Sequence, residues 1–349
     1  MAKPGYLPKE KLNKLIEALN KKFRVFAPYP DGDTVLFQPY DPAKTICLTQ
    51  PATIPPKAVI FPQTETLFTF NFQKDPEDPK KAPVELKENL EFSQTVIFGA
   101  RPCDAKGFCI YDRVYIDTDT PDPYYQGRRE KTTIITLACT SPSPGCFCTS
   151  VGGGPADQEG ADLIMTDLES GYFFEPVTEK GEEILKENIF EDGSSYQDQA
   201  KKAQEDAVDL VKKPFTATDE LPGEILSLFD NDEFWEHEAA KCISCGACTY
   251  LCPTCYCFNI TDEQVANSGE RIRTWDACMF SHFTLEASGH NPRPMKHQRL
   301  KNRVGHKFSY YPTKYEGVIA CCGCGRCIRN CPVSVDISEI VAHAQEYKE

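Results

Sequence analysis

Eight of the chain's eighteen cysteines fall into two runs of one spacing. Cys242, Cys245, Cys248 and Cys252 are followed by Pro253, and Cys321, Cys324, Cys327 and Cys331 by Pro332, so each run reads C-x2-C-x2-C-x3-C-P. This is a ferredoxin-type iron-sulfur ligand pattern. Three thiolates on one tight loop can reach three iron corners of a cubane, whereas the fourth lies too far along and serves the other cluster. The spacing therefore predicts one 4Fe-4S cluster on Cys242, Cys245, Cys248 and Cys331, and a second on Cys321, Cys324, Cys327 and Cys252. Gly246, Gly323 and Gly325 suit loops whose backbone must approach sulfur closely. Zinc also binds paired C-x2-C elements, but four ligands complete its site and two full five-residue patterns would go unexplained.

Four more cysteines stand where two apolar segments end. Thr95 to Phe98 runs into Arg101-Pro102-Cys103-Asp104, and Thr133 to Leu137 runs into Cys139 and then Cys146-Phe147-Cys148. Both segments are continuous and β-branched, as strands buried on two faces are. Ligand sites in α/β sheets form beyond the carboxyl ends of strands, so Cys103, Cys139, Cys146 and Cys148 can converge, with Asp104 as a substitute ligand. Spacing alone leaves three readings of this set: a third 4Fe-4S cluster, a zinc ion, or buried core thiols. Cys47, Cys109 and Cys278 read as isolated core or loop residues, Cys255 and Cys257 as small side chains shielding a cluster. Cys322 has no assigned role.

Helices and strands must position these groups. Leu12, Leu15, Ile16 and Leu19 form an i, i+3, i+4, i+7 stripe, the mark of an amphipathic helix. Short apolar runs at 24–27, 34–37, 58–61, 67–70 and 172–177 predict strands, and 182–189 and 197–211 predict helices. From Leu221 to Cys242, and again in a stretch such as 271–283, the pattern is read as helical. Asp336 with Glu339 predicts a capped start for the last helix. Arg293, Lys296, Arg299, Lys301, Arg303 and Lys307 form a basic stretch, read either as a solvated helix face or as cations that neutralise cluster charge or meet an acidic partner. The six histidines are read as structural. The expected architecture is an α+β or α/β domain over residues 1–215, followed by an all-α, ferredoxin-like two-cluster domain over 216–349.

A formal charge of -14 argues against nucleic acid as a partner. No apolar stretch reaches bilayer length, and the Met1-Ala2-Lys3-Pro4 opening carries no apolar leader segment. Reduced thiols and a cytoplasmic, anaerobic setting without membrane contact are expected. Val151-Gly152-Gly153-Gly154-Pro155 matches neither nucleotide-binding glycine fingerprint.

Taken together, Arg101-Pro102-Cys103-Asp104, Cys139 with Cys146-Phe147-Cys148, Cys252-Pro253-Thr254-Cys255, His306-Lys307-Phe308, and Cys324-Gly325-Arg326-Cys327 ahead of Cys331-Pro332-Val333 resemble one family. It is that of the beta subunit of cytosolic nickel-iron sulfhydrogenases and the corresponding iron-sulfur subunit of anaerobic sulfite reductase. The resemblance covers the whole chain. It implies a non-catalytic subunit of an oxidoreductase complex that passes single electrons through 4Fe-4S clusters, and it favours the third cluster. A flavin is expected on an NAD(P)-binding partner, and a second partner of hydrogenase, sulfite reductase or heterodisulfide reductase type is expected to do the terminal chemistry. The alternative is a chain that is itself catalytic, binding flavin or reducing a disulfide or sulfur substrate. Arg326 and Lys241, each beside a ligand, are candidates for tuning cluster potential.

Overall fold

The computed structural model describes residues 3–73, 77–78 and 83–347; Met1 and Ala2 lie outside them. Its strands, in chain order, are β1 (Gly5–Pro8), β2 (Arg24–Asp31), β3 (Thr34–Pro39), β4 (Thr64–Phe72), β5 (Val84–Glu88), β6 (Thr95–Ala100), β7 (Thr132–Leu137), β8 (Leu163–Asp167), β9 (Gly171–Pro176), β10 (Glu191–Asp192), β11 (Phe258–Val265) and β12 (Ser268–Trp275). Eight of them make one mixed sheet in the order β10-β1-β9-β8-β7-β6-β2-β3. At its centre β2, β6, β7 and β8 run parallel. The remaining pairs are antiparallel.

Alternation explains why this sheet is buried on both sides. Val96 and Phe98 of β6 point into a core with Leu15, Ile16 and Leu19 of the helix Leu12–Asn20. Ile97 points the other way, against Ala105, Phe108 and Tyr111 of the helix Pro102–Tyr115, and an irregularity in the β6–β7 ladder between Phe98 and Ala100 turns Ala100 to that side as well. All residues of β6 and β7 are buried. Their carboxyl ends deliver Cys103 and Cys139 to the same edge of the sheet.

The second half of the chain is not all-α. β11 and β12 form a hairpin inside it, and β12 pairs with β4 to build a second, four-stranded antiparallel sheet, β11-β12-β4-β5. The segment 271–283, read as helical, begins as strand. The pairing is secured by Arg273 of β12, which is buried and bonds Glu65 of β4 at 2.7 Å and Asp122 ahead of the helix Pro123–Glu130. A second departure lies at 58–61, expected as a strand. Pro55 and Pro56 fix φ near the helical value and remove ladder donors, and the segment opens as a 3-10 turn, Pro56–Val59.

Around these sheets the region beyond Leu221 packs its own core. Leu221, Ile225, Trp235, Leu300, Val304, Phe308, Ile340 and Val341 are buried together, and Phe147, from the Cys146-Phe147-Cys148 loop of the first half, is inserted among them. Asp336 caps the final helix, Ile337–Glu346, through the backbone N-H groups of Ser338 and Glu339. Among the described residues, no helix is long and apolar enough to cross a membrane.

Candidate metal centre

Each cysteine run starts on an irregular loop and turns into a one-turn helix. Gly246 and Gly325 sit at the junctions with φ of 76° and 67°, ahead of Ala247–Tyr250 and Arg326–Arg329. In the left-handed region a side chain would be strained.

The thiols surround three cavities. The first is lined by Cys242, Cys245, Cys248 and Cys331, with Cys327 and Arg303 in its wall. The second is lined by Cys252, Cys321, Cys324 and Cys327, with Cys322, Arg303 and Lys307. The fourth cysteine of each run thus faces the cavity of the other run's first three. The third is lined by Cys103, Cys139 and Cys146, with Cys324, Arg101 and Arg326. Cys148 is not in that wall, although Cys139 and Cys146 are close enough to influence it electrostatically and burial pushes its thiol up to about 12. The cavities share walls, Cys327 between the first and second and Cys324 between the second and third. Among the described residues, no three Cys, His, Asp or Glu side chains close on a single ion.

Close loop contact brings the third cavity to the second. Phe147 N donates to Gly323 O at 2.8 Å, and Cys146 Sγ lies 3.5 Å from Cys324 O. Two of the three glycines expected to admit sulfur instead admit backbone: a Cβ on Gly323 would stand 2.5 Å from Cys148 N, and one on Gly325 2.4 Å from Gly145 O, whereas one on Gly246 would meet the Phe280 ring at 2.7 Å. Gly323 also has a φ of 59°. Gly323→Ala is therefore expected to cost at least about 2 kcal/mol, measured by urea unfolding, and to loosen the third site more than the first.

The basic stretch is largely an interior feature. Arg299, Arg303 and Lys307 recur every fourth residue along the helix Lys296–Gly305 and the π turn His306–Tyr310, and all three are buried. Arg299 bonds the carbonyls of Met279, Arg293 and Pro294 and the Ser244 hydroxyl, holding the first loop. Lys307 Nζ lies 3.5 Å from Cys252 Sγ and 2.7 Å from Thr254 Oγ1. The four-residue interval was readable in the sequence.

Arg326 is also buried, with Nη1 2.7 Å from Asp104 Oδ1 and 3.9 Å from Cys103 Sγ. Asp104 therefore serves as its counter-charge, and it accepts from Arg101 N at 2.9 Å as well. Lys241 is exposed. A hydrogen bond between the Cys103 and Cys324 thiols raises Cys103 and lowers Cys324. Burial pushes Cys321 up to about 11 and Cys327 up to about 12.

The unassigned cysteines gather at the same place. Cys322 is buried in the second cavity wall. Cys255 hydrogen-bonds Cys252, and its carbonyl accepts from Tyr111 Oη and, at 3.0 Å, from the buried Lys57. Cys257 and Cys278 hydrogen-bond each other, with Thr249 Oγ1 3.7 Å from Cys278 Sγ. Neither Cys257 nor Cys278 is isolated, though nothing in their spacing announced the contact. His306 is held neutral by burial and by Lys307, its pKa lowered to about 4, and contacts Tyr256 at 3.2 Å.

The donor set fits iron-sulfur clusters: groups of thiols surround cation-flanked cavities. A model of the 4Fe-4S dicluster domain matches residues 241–335, which contain both runs. No solved structure matches the chain. Sulfhydrogenase 2 subunit beta of Pyrococcus furiosus is 31% identical over 328 residues, covering 93% of this chain and 92% of the relative. With a likeness of that extent and both cysteine runs in place, the chain belongs to the sulfhydrogenase beta-subunit family and carries a 4Fe-4S dicluster domain.

Proposed function

We propose that the chain is the electron relay of a multi-subunit oxidoreductase, with 4Fe-4S clusters at Cys242, Cys245, Cys248 and Cys331, at Cys252, Cys321, Cys324 and Cys327, and at Cys103, Cys139, Cys146 and Cys148. One observation carries this reading: three thiol-lined cavities stand in a row and share walls. Clusters at these places accept and pass on one electron at a time. The chain's part is to hold them in sequence, exclude water and set their potentials through buried Arg303, Lys307 and Arg326. Of the eighteen cysteines only Cys245 is exposed, so the first site is the end of the row nearest the surface. The relative's name places it in a sulfhydrogenase. By that kinship the relay here connects a flavin- and NAD(P)-binding partner to a catalytic partner of hydrogenase, sulfite reductase or heterodisulfide reductase type.

Iron, acid-labile sulfide and zinc counted on protein purified without oxygen test the reading. About twelve iron per chain are expected. About eight would confine the relay to the two runs, and one zinc would reassign the N-terminal thiols. A second reading, that the chain itself holds flavin, has one observation in its favour. A cleft bounded by loops near Gly152, Phe215 and Val318 is lined by Thr149 and Ser150, whose buried hydroxyls have no hydrogen-bond partner among the described residues. Equimolar flavin on the isolated chain would establish it.

A further inference from the structure

Arg303 occupies a place that neither cysteine run accounts for. It lines the first cavity and the second, standing with Cys327 in the wall between them. Its residue is 4% exposed, and its Nε and Nη2 have no hydrogen-bond partner among the described residues. Nor does any carboxylate there form an ion pair with it, in contrast to Arg326 with Asp104 and Arg273 with Glu65. The charges that act on it are thiols of both sites, Cys248 of the first and Cys327 and Cys252 of the second, together with Cys255, which hydrogen-bonds Cys252.

A guanidinium cannot escape burial by losing its proton. Buried without a counter-charge it costs several kcal/mol in a typical protein, and each unmet N-H adds to that. Two orphaned donors aimed between two thiol-lined spaces are accounted for when both spaces hold negative charge. Arginine suits this position because its planar fork presents separate donor edges in different directions, whereas a lysine offers a single point of charge. Lys307, four residues on, differs: it faces the second cavity alone and has three acceptors of its own.

We infer that Arg303 is a positioning residue shared by two clusters, donating N-H···S hydrogen bonds to both and setting their reduction potentials together. A fixed cation favours the more negative, reduced state of whatever lies beside it, and donors to sulfur act in the same sense. Because one guanidinium serves both sites, it shifts both potentials the same way, and the step between them stays nearly level. An electron then crosses the shared wall without being trapped on either side. The inference rests on the relay reading above.

The test uses the whole chain, purified without oxygen, with iron and sulfide counted first. In Arg303→Gln, which keeps length and a donor but loses the charge, EPR-monitored titration is expected to show both C-terminal cluster potentials shifted downward and the third signal unmoved. Arg303→Lys, which restores charge without the fork, is expected to recover part of the shift. Fully loaded Arg303→Gln with neither potential moved, or with only one moved, overturns the inference. Should Arg303→Gln fail to load iron, the wild-type chain decides: with 15N-labelled arginine, pulsed EPR is expected to show nitrogen coupling on both C-terminal signals, lost in labelled Arg303→Lys. Its absence from either signal overturns the inference. A chain without iron would overturn the relay reading instead, so the two failures are distinct.

Discussion

Cys252→Ser is expected to remove the cluster held by Cys321, Cys324 and Cys327 and to leave the one held by Cys242, Cys245 and Cys248. Its own run would suggest the opposite. Cys252, however, lines the second cavity with the thiols of the distant run, while Cys331 lines the first. The surroundings of Cys252 add to the expected loss. Its sulfur is buried, 3.1 Å from Thr254 Oγ1 and 3.5 Å from Lys307 Nζ, and Lys307 has no carboxylate partner among the described residues. Removing that thiolate takes a ligand from the cluster and a counter-charge from a buried ammonium at once. Iron is expected to fall by about four atoms per chain, with the EPR signal of the first cluster retained. Cys331→Ser should do the converse. If Cys252→Ser instead abolishes the first cluster's signal and spares the second, the crossed assignment is wrong.

The two cysteine runs of the dicluster domain were readable because cluster chemistry imposes short, local spacing on the chain. So was the centre of the large sheet: Thr95 to Phe98 and Thr133 to Leu137 are doubly buried, and burial on both faces leaves an unbroken apolar run. The hairpin of β11 and β12 left no such trace. Every residue of β11 is exposed, and the alternation begun by Phe258 and Ile260 is lost in the polar run Thr261 to Gln264. β12 was hidden for another reason. Its partner β4 lies about two hundred residues earlier, and what joins them is Arg273 with Glu65 and Asp122, a contact that local periodicity cannot contain. The cations were left between two readings for a third reason. A basic stretch ordinarily marks a solvated face, and only the four-residue interval of Arg299, Arg303 and Lys307 separates these from the half-buried Arg293, Lys296 and Lys301. Buried positive charge becomes legible once the thiols it faces are known.

Arg326→Met is expected to be among the most damaging single changes away from the ligands themselves. Arg326 is 1% exposed and Asp104 2%. They meet at 2.7 Å, and a further Arg326 nitrogen, Nε, donates to Ala52 O at 2.8 Å, so one side chain ties the second cysteine run to two segments of the N-terminal half. A methionine fills most of the volume but leaves Asp104 charged and buried. Breaking a buried pair from one side costs about 3–5 kcal/mol, read as a fall in the urea midpoint at unchanged slope. Asp104→Asn combined with Arg326→Met removes both charges and should recover part of the loss, because the amide still accepts from Arg101 N at the start of its helix. The same nitrogen fork faces Cys103, so the third site should lose iron before the other two. A single variant costing under about 1 kcal/mol would mean that water reaches the pair, and that the junction between the halves is held by other contacts.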